Sequence, residues 1–134
     1  MRTEKPWVIV WAIPKNPIDV PCWMMVKHLE RGWELPGGDK LDGEDNDIAA
    51  LRELYEETGC LGVAIAEDSS IIKGGVVVLV EIDEEPEAYG WESEDEKISE
   101  AGWCVEIPGD LFWGEKEIKK LIDYDWSTSK TLGS

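Results

Sequence analysis

Apolar residues alternate with period two at the start of the chain. Trp7, Ile9, Trp11 and Ile13 fall on one face and Val8, Val10 and Ala12 on the other. Both faces are apolar, the pattern of a central strand covered on both sides. Pro14 to Pro21 reads as a loop, and Cys22 to Leu29 as a second strand expected to pair with the first in a hairpin. Trp33-Glu34-Leu35 is a short extended piece leading into Pro36-Gly37-Gly38, where two glycines permit positive φ and a close approach of backbone to a ligand. Lys40-Leu41 is extended and Asp42-Gly43 turns.

From Asp47 to Thr58 the period lengthens to that of a helix. At about 100° per residue, Ile48, Leu51, Leu54, Tyr55 and Thr58 share an arc with Ala50. Glu53, Glu56 and Glu57 lie on the opposite arc, with Ala49 among them. Asp45, Asn46 or Asp47 is suited to cap the start, and Gly59 to end the helix in the left-handed region. Cys60 to Ala66, Gly75 to Ile82 and Gly102 to Ile107 read as later strands, the run Val76 to Val80 being apolar throughout. Glu115 to Tyr124 predicts a second helix with Ile118, Leu121 and Ile122 inward. Ser127 to Ser134 reads as a frayed tail. The expected architecture is one α/β domain over residues 1–134, a mixed sheet between two helices.

Charge narrows the function. The formal net charge is −17, from 30 acidic and 13 basic residues. A basic face for polymeric nucleic acid or an anionic membrane is not expected. Most of the acidity reads as solubilising surface. Salt adaptation carries little weight, since Lys supplies most of the cations. Cys22, Cys60 and Cys104 are odd in number and lack zinc-ligand spacing, which fits reduced thiols in a cytoplasmic protein. The charged start lacks the apolar run of a signal peptide, and no stretch approaches a membrane span. His28 reads as a strand-surface residue. Glu81 to Glu100 holds ten acidic residues and one Lys, the composition of an acidic loop.

The helix carries the chemistry. Carboxylates at i, i+3 and i+4 repel one another, and three of them beside a buried face point to cation binding. If the substrate is itself an anion, an acidic chain needs a positive charge from outside, which a divalent metal would supply.

Gly38 is followed after five residues by Glu44, and after seven more by Arg52-Glu53-Leu54-Tyr55-Glu56-Glu57-Thr58-Gly59-Cys60. This spacing resembles the signature of the Nudix hydrolases at every specified position, with Cys60 where an aliphatic residue is commoner. The resemblance extends more loosely to Trp33–Gly38 and to Glu100–Trp103. It implies an α/β/α sandwich with a loop-helix-loop motif, and a pyrophosphohydrolase acting with Mg²⁺ or Mn²⁺ on a nucleoside diphosphate linked to another moiety. Carried over by position, it makes Glu56 and Glu57 metal ligands, Glu53 a ligand or the water-activating base, and the Gly37 carbonyl a further ligand. Arg52 and Glu44 are expected to brace the loop, and Gly38 and Gly59 to shape the backbone. A later carboxylate completes the metal shell or acts as base in some members. Glu92, Glu94, Asp95, Glu96 and Glu100 are candidates here, with Glu94 and Glu96 preferred.

Eight Trp against one Phe supply candidates for stacking on a base, Trp7, Trp11 and Trp113 foremost. The small size resembles the MutT-like branch, whose substrates are nucleoside triphosphates, sometimes oxidised ones, cleaved to monophosphate and pyrophosphate. ADP-ribose and dinucleoside polyphosphates are the alternatives. So is a module of the same fold that senses a nucleotide without cleaving it, or an acidic surface serving a protein partner. The expected partner is a small nucleotide, and the protein itself a monomer or homodimer.

Overall fold

The computed structural model describes residues 7–132. Strands β1 (Val8–Pro14), β2 (Trp23–His28), β3 (Gly32–Glu34) and β4 (Gly37–Gly38) precede helix α1 (Asn46–Thr58). Then follow β5 (Val63–Asp68), β6 (Val76–Ile82), β7 (Ile98–Cys104), helix α2 (Glu115–Ile122), a 3₁₀ turn (Trp126–Thr128) and β8 (Lys130–Thr131).

Two sheets form. One has five strands in the order β4-β1-β6-β5-β8, and the other three in the order β3-β2-β7. The first is mixed, because β1 and β6 run parallel, Val8 beside Val76 to Pro14 beside Ile82. The alternation in β1 explains its central place. Ile9 and Trp11 join Val77, Leu79 and the α2 residues Ile118 and Leu121 in one core cluster. Val10 and Ala12 join Val78, Val80 and the α1 residues Ala50 and Leu54 in another. The helices therefore cover opposite faces of the sheet, and the expected α/β/α layering holds.

The expected hairpin of the first two strands does not form. Residues 15–22 are too long and proline-rich for a tight turn, and β2 enters the other sheet, paired with β3 and β7. Strand β7 begins at Ile98, four residues before the expected start, because it pairs along the length of β2. Ile98 and Ala101 pack on Val26 despite the acidic residues around them.

The frayed tail is also corrected. Asp68 accepts hydrogen bonds from Tyr124 Oη and Ser129 Oγ, each 2.7 Å. β8 pairs with β5, and Leu132 N–H donates to the Ile65 carbonyl at 2.8 Å. Short polar side chains tie this segment down, which hydrophobic periodicity does not register. Residues 133 and 134 of the expected tail lie outside the described residues.

Helix α1 is rotated from its expected orientation. Ala49, Ala50, Leu54, Glu57 and Thr58 are its buried residues, whereas Ile48 and Tyr55 are 52% and 54% exposed. The apolar arc read from the sequence is thus half wrong, and Glu57 lies inside the packed face. The helix meets two neighbours at once. Ala50 and Leu54 rest on the sheet core, while Glu53 and Glu57 turn towards β4. Asp45 is the N-cap residue without a capping side-chain hydrogen bond, and Gly59 ends the helix at φ 76° as expected.

Candidate active site

The glycines of β4 bring a strand and a helix into contact. Neither Gly37 nor Gly38 has positive φ, so their value here is close approach alone. A Cβ on Gly37 would collide with the Val8 carbonyl, and one on Gly38 with the Glu53 carboxylate. Gly37 N–H donates to Glu57 Oε1 at 3.1 Å. The backbone of β4 therefore lies against the acidic edge of α1.

Arg52 organises that edge. Its Nε and Nη2 grip the two oxygens of Glu44 at 2.8 and 2.9 Å. Nη1 donates to Glu53 at 2.9 Å and Glu56 at 3.2 Å, and Nη2 also to the Asp39 carbonyl at 3.0 Å. Glu44 in turn accepts from Leu41 N–H at 2.8 Å. A planar fork of donors suits this multiple bracing. Arg52 and the Leu41 amide hold the Glu44 carboxyl down to about 2. Arg52 and Glu44 are thus paired in the structure.

A third segment is lashed to the end of α1. Trp91 Nε1 donates to the Thr58 carbonyl at 2.8 Å, and Ser93 Oγ to the Glu57 carbonyl at 2.7 Å. Ser93 Oγ then accepts from Asp95 N–H at 3.0 Å. These bonds deliver Asp95 to a cleft of about 500 Å³ whose lining includes Glu34, Gly37, Glu53, Glu56 and Glu57.

The carboxylates in this cleft oppose one another. Burial pushes Glu57 well above the usual carboxylate range, and the charges of Glu53, Glu34 and Asp95 add to it, against the Gly37 hydrogen bond. Burial also raises Glu53, with Arg52 opposing and Glu56 adding to the rise. Glu34, 8% exposed, is raised by burial and steadied by Arg31 and by a Trp113 hydrogen bond. Crowded, half-desolvated carboxylates favour either protons or a cation.

Among the described residues no three His, Cys, Asp or Glu side chains already form a finished metal cage. Arg52 Nη1 occupies Glu53 and Glu56, and Gly37 engages Glu57. The donor set nevertheless fits a divalent cation: hard oxygens, excess negative charge and raised proton affinity converge on one cleft.

The late-loop candidates separate in space. Asp95 lines the cleft, Glu94 an adjoining hollow that shares Glu56, and Glu96 neither. Of the tryptophans, Trp113 lines the cleft. Trp11 is buried and stacked on Trp23 at 5.4 Å, and Trp7 lies under Lys40 Nζ at 5.4 Å. Sequence reasoning missed Glu34 and Arg31. Glu34 between apolar Trp33 and Leu35, with Arg31 three residues earlier, was the available signal of a buried, paired carboxylate.

The NUDIX domain model matches residues 20–106. An RNA pyrophosphohydrolase of Brucella ovis is 53% identical over 38 residues, 28% of this chain and 21% of that protein. A Bacillus subtilis protein named as a candidate 8-oxo-dGTP diphosphatase, YtkD, is 49% identical over 37 residues, 28% of this chain and 23% of its own. These matches span less than a quarter of the curated relatives' lengths. Among solved structures, a NUDIX hydrolase from Nitrosomonas europaea has TM-score 0.57 at 22% identity, covering 91% of this chain and 73% of that one. The Bacillus subtilis pyrophosphohydrolase BsRppH has TM-score 0.58 at 22% identity, covering 89% and 82%. At these identities the structures speak for the fold.

Proposed function

Because the chain belongs to the Nudix hydrolase family, we propose that it is a divalent-metal-dependent pyrophosphohydrolase that converts a nucleoside triphosphate, including oxidised purine forms, and water to the monophosphate and pyrophosphate. The observation that carries this reading is the convergence of Glu53, Glu57, Glu34 and Asp95 in one cleft, with Arg52 bracing the helix that presents them. Glu56, Glu57 and the Gly37 carbonyl are the proposed ligands of Mg²⁺ or Mn²⁺, joined by Asp95 from the late loop. When bound, such an ion neutralises phosphate charge and lowers the pKa of a coordinated water. Glu53, raised by burial, is suited to take the proton from the attacking water. Arg52 keeps Glu53 and Glu56 on one side of the helix and so holds the acidic edge in register.

A triphosphorylated RNA end is a second reading, favoured by the RNA pyrophosphohydrolase match. ADP-ribose and dinucleoside polyphosphates are further alternatives. The test is a substrate panel with Mg²⁺ or Mn²⁺, read by product identity. The reading expects monophosphate and pyrophosphate from a nucleoside triphosphate. Release from ADP-ribose alone would overturn the substrate, and no turnover of any member would favour a nucleotide-sensing module.

A further inference from the structure

Carboxylates outnumber cations in the lining of the cleft, but one part of its wall carries donors. His28, Arg31 and Lys97 line it together with Phe112 and Trp113. Local structure explains the gathering. His28 ends β2 where the pairing with β7 becomes irregular, opposite Gly32 and Ile98. Leu29 N–H donates to the Lys97 carbonyl at 2.9 Å, which holds the β2–β3 turn beside the start of β7. Segment 110–112 is strapped to β3: Trp33 N–H donates to the Asp110 carbonyl at 3.1 Å, and Phe112 N–H to the Trp33 carbonyl at 2.8 Å. That strap places the Phe112 ring 5.0 Å under the Arg31 guanidinium.

These side chains keep donors to spare. Arg31 uses Nε and Nη2 on Glu34, at 3.1 and 3.2 Å. Among the described residues its Nη1 has no hydrogen bond, and Lys97 Nζ has no ion pair. His28 Nδ1 accepts from Glu30 N–H at 3.2 Å, which leaves Nε2 as the donor. Burial pushes the His28 pKa down, Arg31 and Lys97 add to the fall, and Glu30 and Asp95 oppose it. Arg31 and Lys97 therefore both lie within electrostatic reach of His28, whose Nδ1 accepts and so leaves the imidazole neutral. Glu34 offsets part of the charge, so the wall is rich in donors rather than strongly positive. In a chain of net charge −17, donors gathered on one wall of a carboxylate cleft offer an anionic ligand a place to bind.

We infer that His28, Arg31 and Lys97 form a phosphate subsite that takes the terminal phosphate of a triphosphate chain whose remainder lies at the carboxylates. This rests on the function proposed above. A terminal phosphate offers more charge and more acceptor oxygens than a bridging one, and guanidinium and ammonium donors match it. The subsite thus favours an uncapped triphosphate over a diphosphate capped by a sugar. A free nucleotide and a triphosphorylated RNA end share this chemistry.

The experiment has a binding arm and a kinetic arm. Inorganic triphosphate is titrated into the metal-free full chain at low salt and followed by phosphorus NMR. The wild type binds, Lys97→Gln and Arg31→Gln each weaken binding about tenfold, and Arg31→Lys recovers part of the loss. Lys73→Gln, an exposed charge elsewhere, controls for net charge. No binding by the wild type, or equal weakening by Lys73→Gln, overturns the subsite. In turnover, Lys97→Gln raises KM for dGTP about tenfold while kcat changes far less, and KM for ADP-ribose rises much less. Equal rises for both substrates overturn the preference for an uncapped chain. A triphosphorylated oligoribonucleotide as competitor tells an RNA end from a free nucleotide. Absence of all turnover would sink the proposed hydrolysis while leaving the binding arm to decide the subsite.

Discussion

Two arginines face the same cleft, each with a carboxylate in its fork, and they do different work. Arg52 meets Glu44, Glu53, Glu56 and the Asp39 carbonyl, with its side chain 24% exposed. Arg31 meets Glu34, with its side chain 41% exposed. Arg52 has its donors committed, so removing it loosens a loop and a helix together. Arg31 retains a free edge and rests on an aromatic face. A saturated arginine is a structural brace, whereas a half-used one in a cleft is available for a ligand.

The largest expected effect is on the carboxylates that the brace presents. Glu57→Gln keeps an acceptor for Gly37 N–H but removes a charge proposed to hold the metal. Turnover with Mg²⁺ should fall by about 10³-fold. The metal-free protein should melt no lower than wild type, because a buried charge opposed by Glu53, Glu34 and Asp95 is lost. Steady-state rates and a melting curve check both parts. A rate within tenfold of wild type would remove Glu57 from the metal site.

Next in size is the difference between the arginines themselves. Arg52→Ala should destabilise the fold by about 2 kcal/mol, because several partly buried acceptors lose their donor at once. Arg31→Ala should cost less than Arg52→Ala, because a single buried carboxylate, Glu34, loses its donor and its already raised proton affinity lets it neutralise. Denaturant unfolding of both variants measures this. Equal losses would mean that Arg31 is a brace too, and would weaken its assignment to a phosphate.

How much of this was legible depends on the kind of force involved. Strands with two apolar faces were readable, because β1 and β6 are buried on both sides. The motif spacing pairs Arg52 with Glu44, and the two are hydrogen-bonded in the structure. The rotation of α1 was not readable. A helical wheel assigns Ile48 and Tyr55 inward by hydrophobicity, but the close approach of β4 draws Glu53 and Glu57 in their place. The ordered end of the chain was hidden for a related reason: Asp68, Tyr124 and Ser129 hold it through hydrogen bonds between residues 56 and 61 positions apart. Likewise Asp95, rather than Glu96, enters the cleft because Ser93 bonds to the end of α1. In an acidic loop, no local pattern distinguishes the carboxylate that is anchored from those that are solvated.

The smallest effect, and the sharpest separation of the two flanks, is in pH dependence without metal. Glu44 is held down to about 2 by Arg52. A lowered carboxyl contributes stability that is present above its ordinary value of 4.5 and is lost as pH falls through about 2. Glu34, Glu53 and Glu57 are raised. Their native forms hold protons more tightly than the unfolded chain does, so stability is full below the ordinary value and declines as pH rises through the raised ones. In a chelator the melting temperature should therefore fall by a few degrees on each side of a maximum near the ordinary carboxylate value. Arg52→Ala should lessen the acid-side fall by releasing Glu44, leaving the part that Asp68 contributes, and should deepen the fall at higher pH, because Arg52 no longer opposes the rise of Glu53. Mg²⁺ or Mn²⁺ should lessen the fall at higher pH, because the ion binds the ionised carboxylates that repel one another in its absence. A chelated protein whose melting temperature is level from pH 5 to 8, with or without Arg52, would show that the cleft carboxylates are not in conflict, and the case for a cation between them would lose its physical basis.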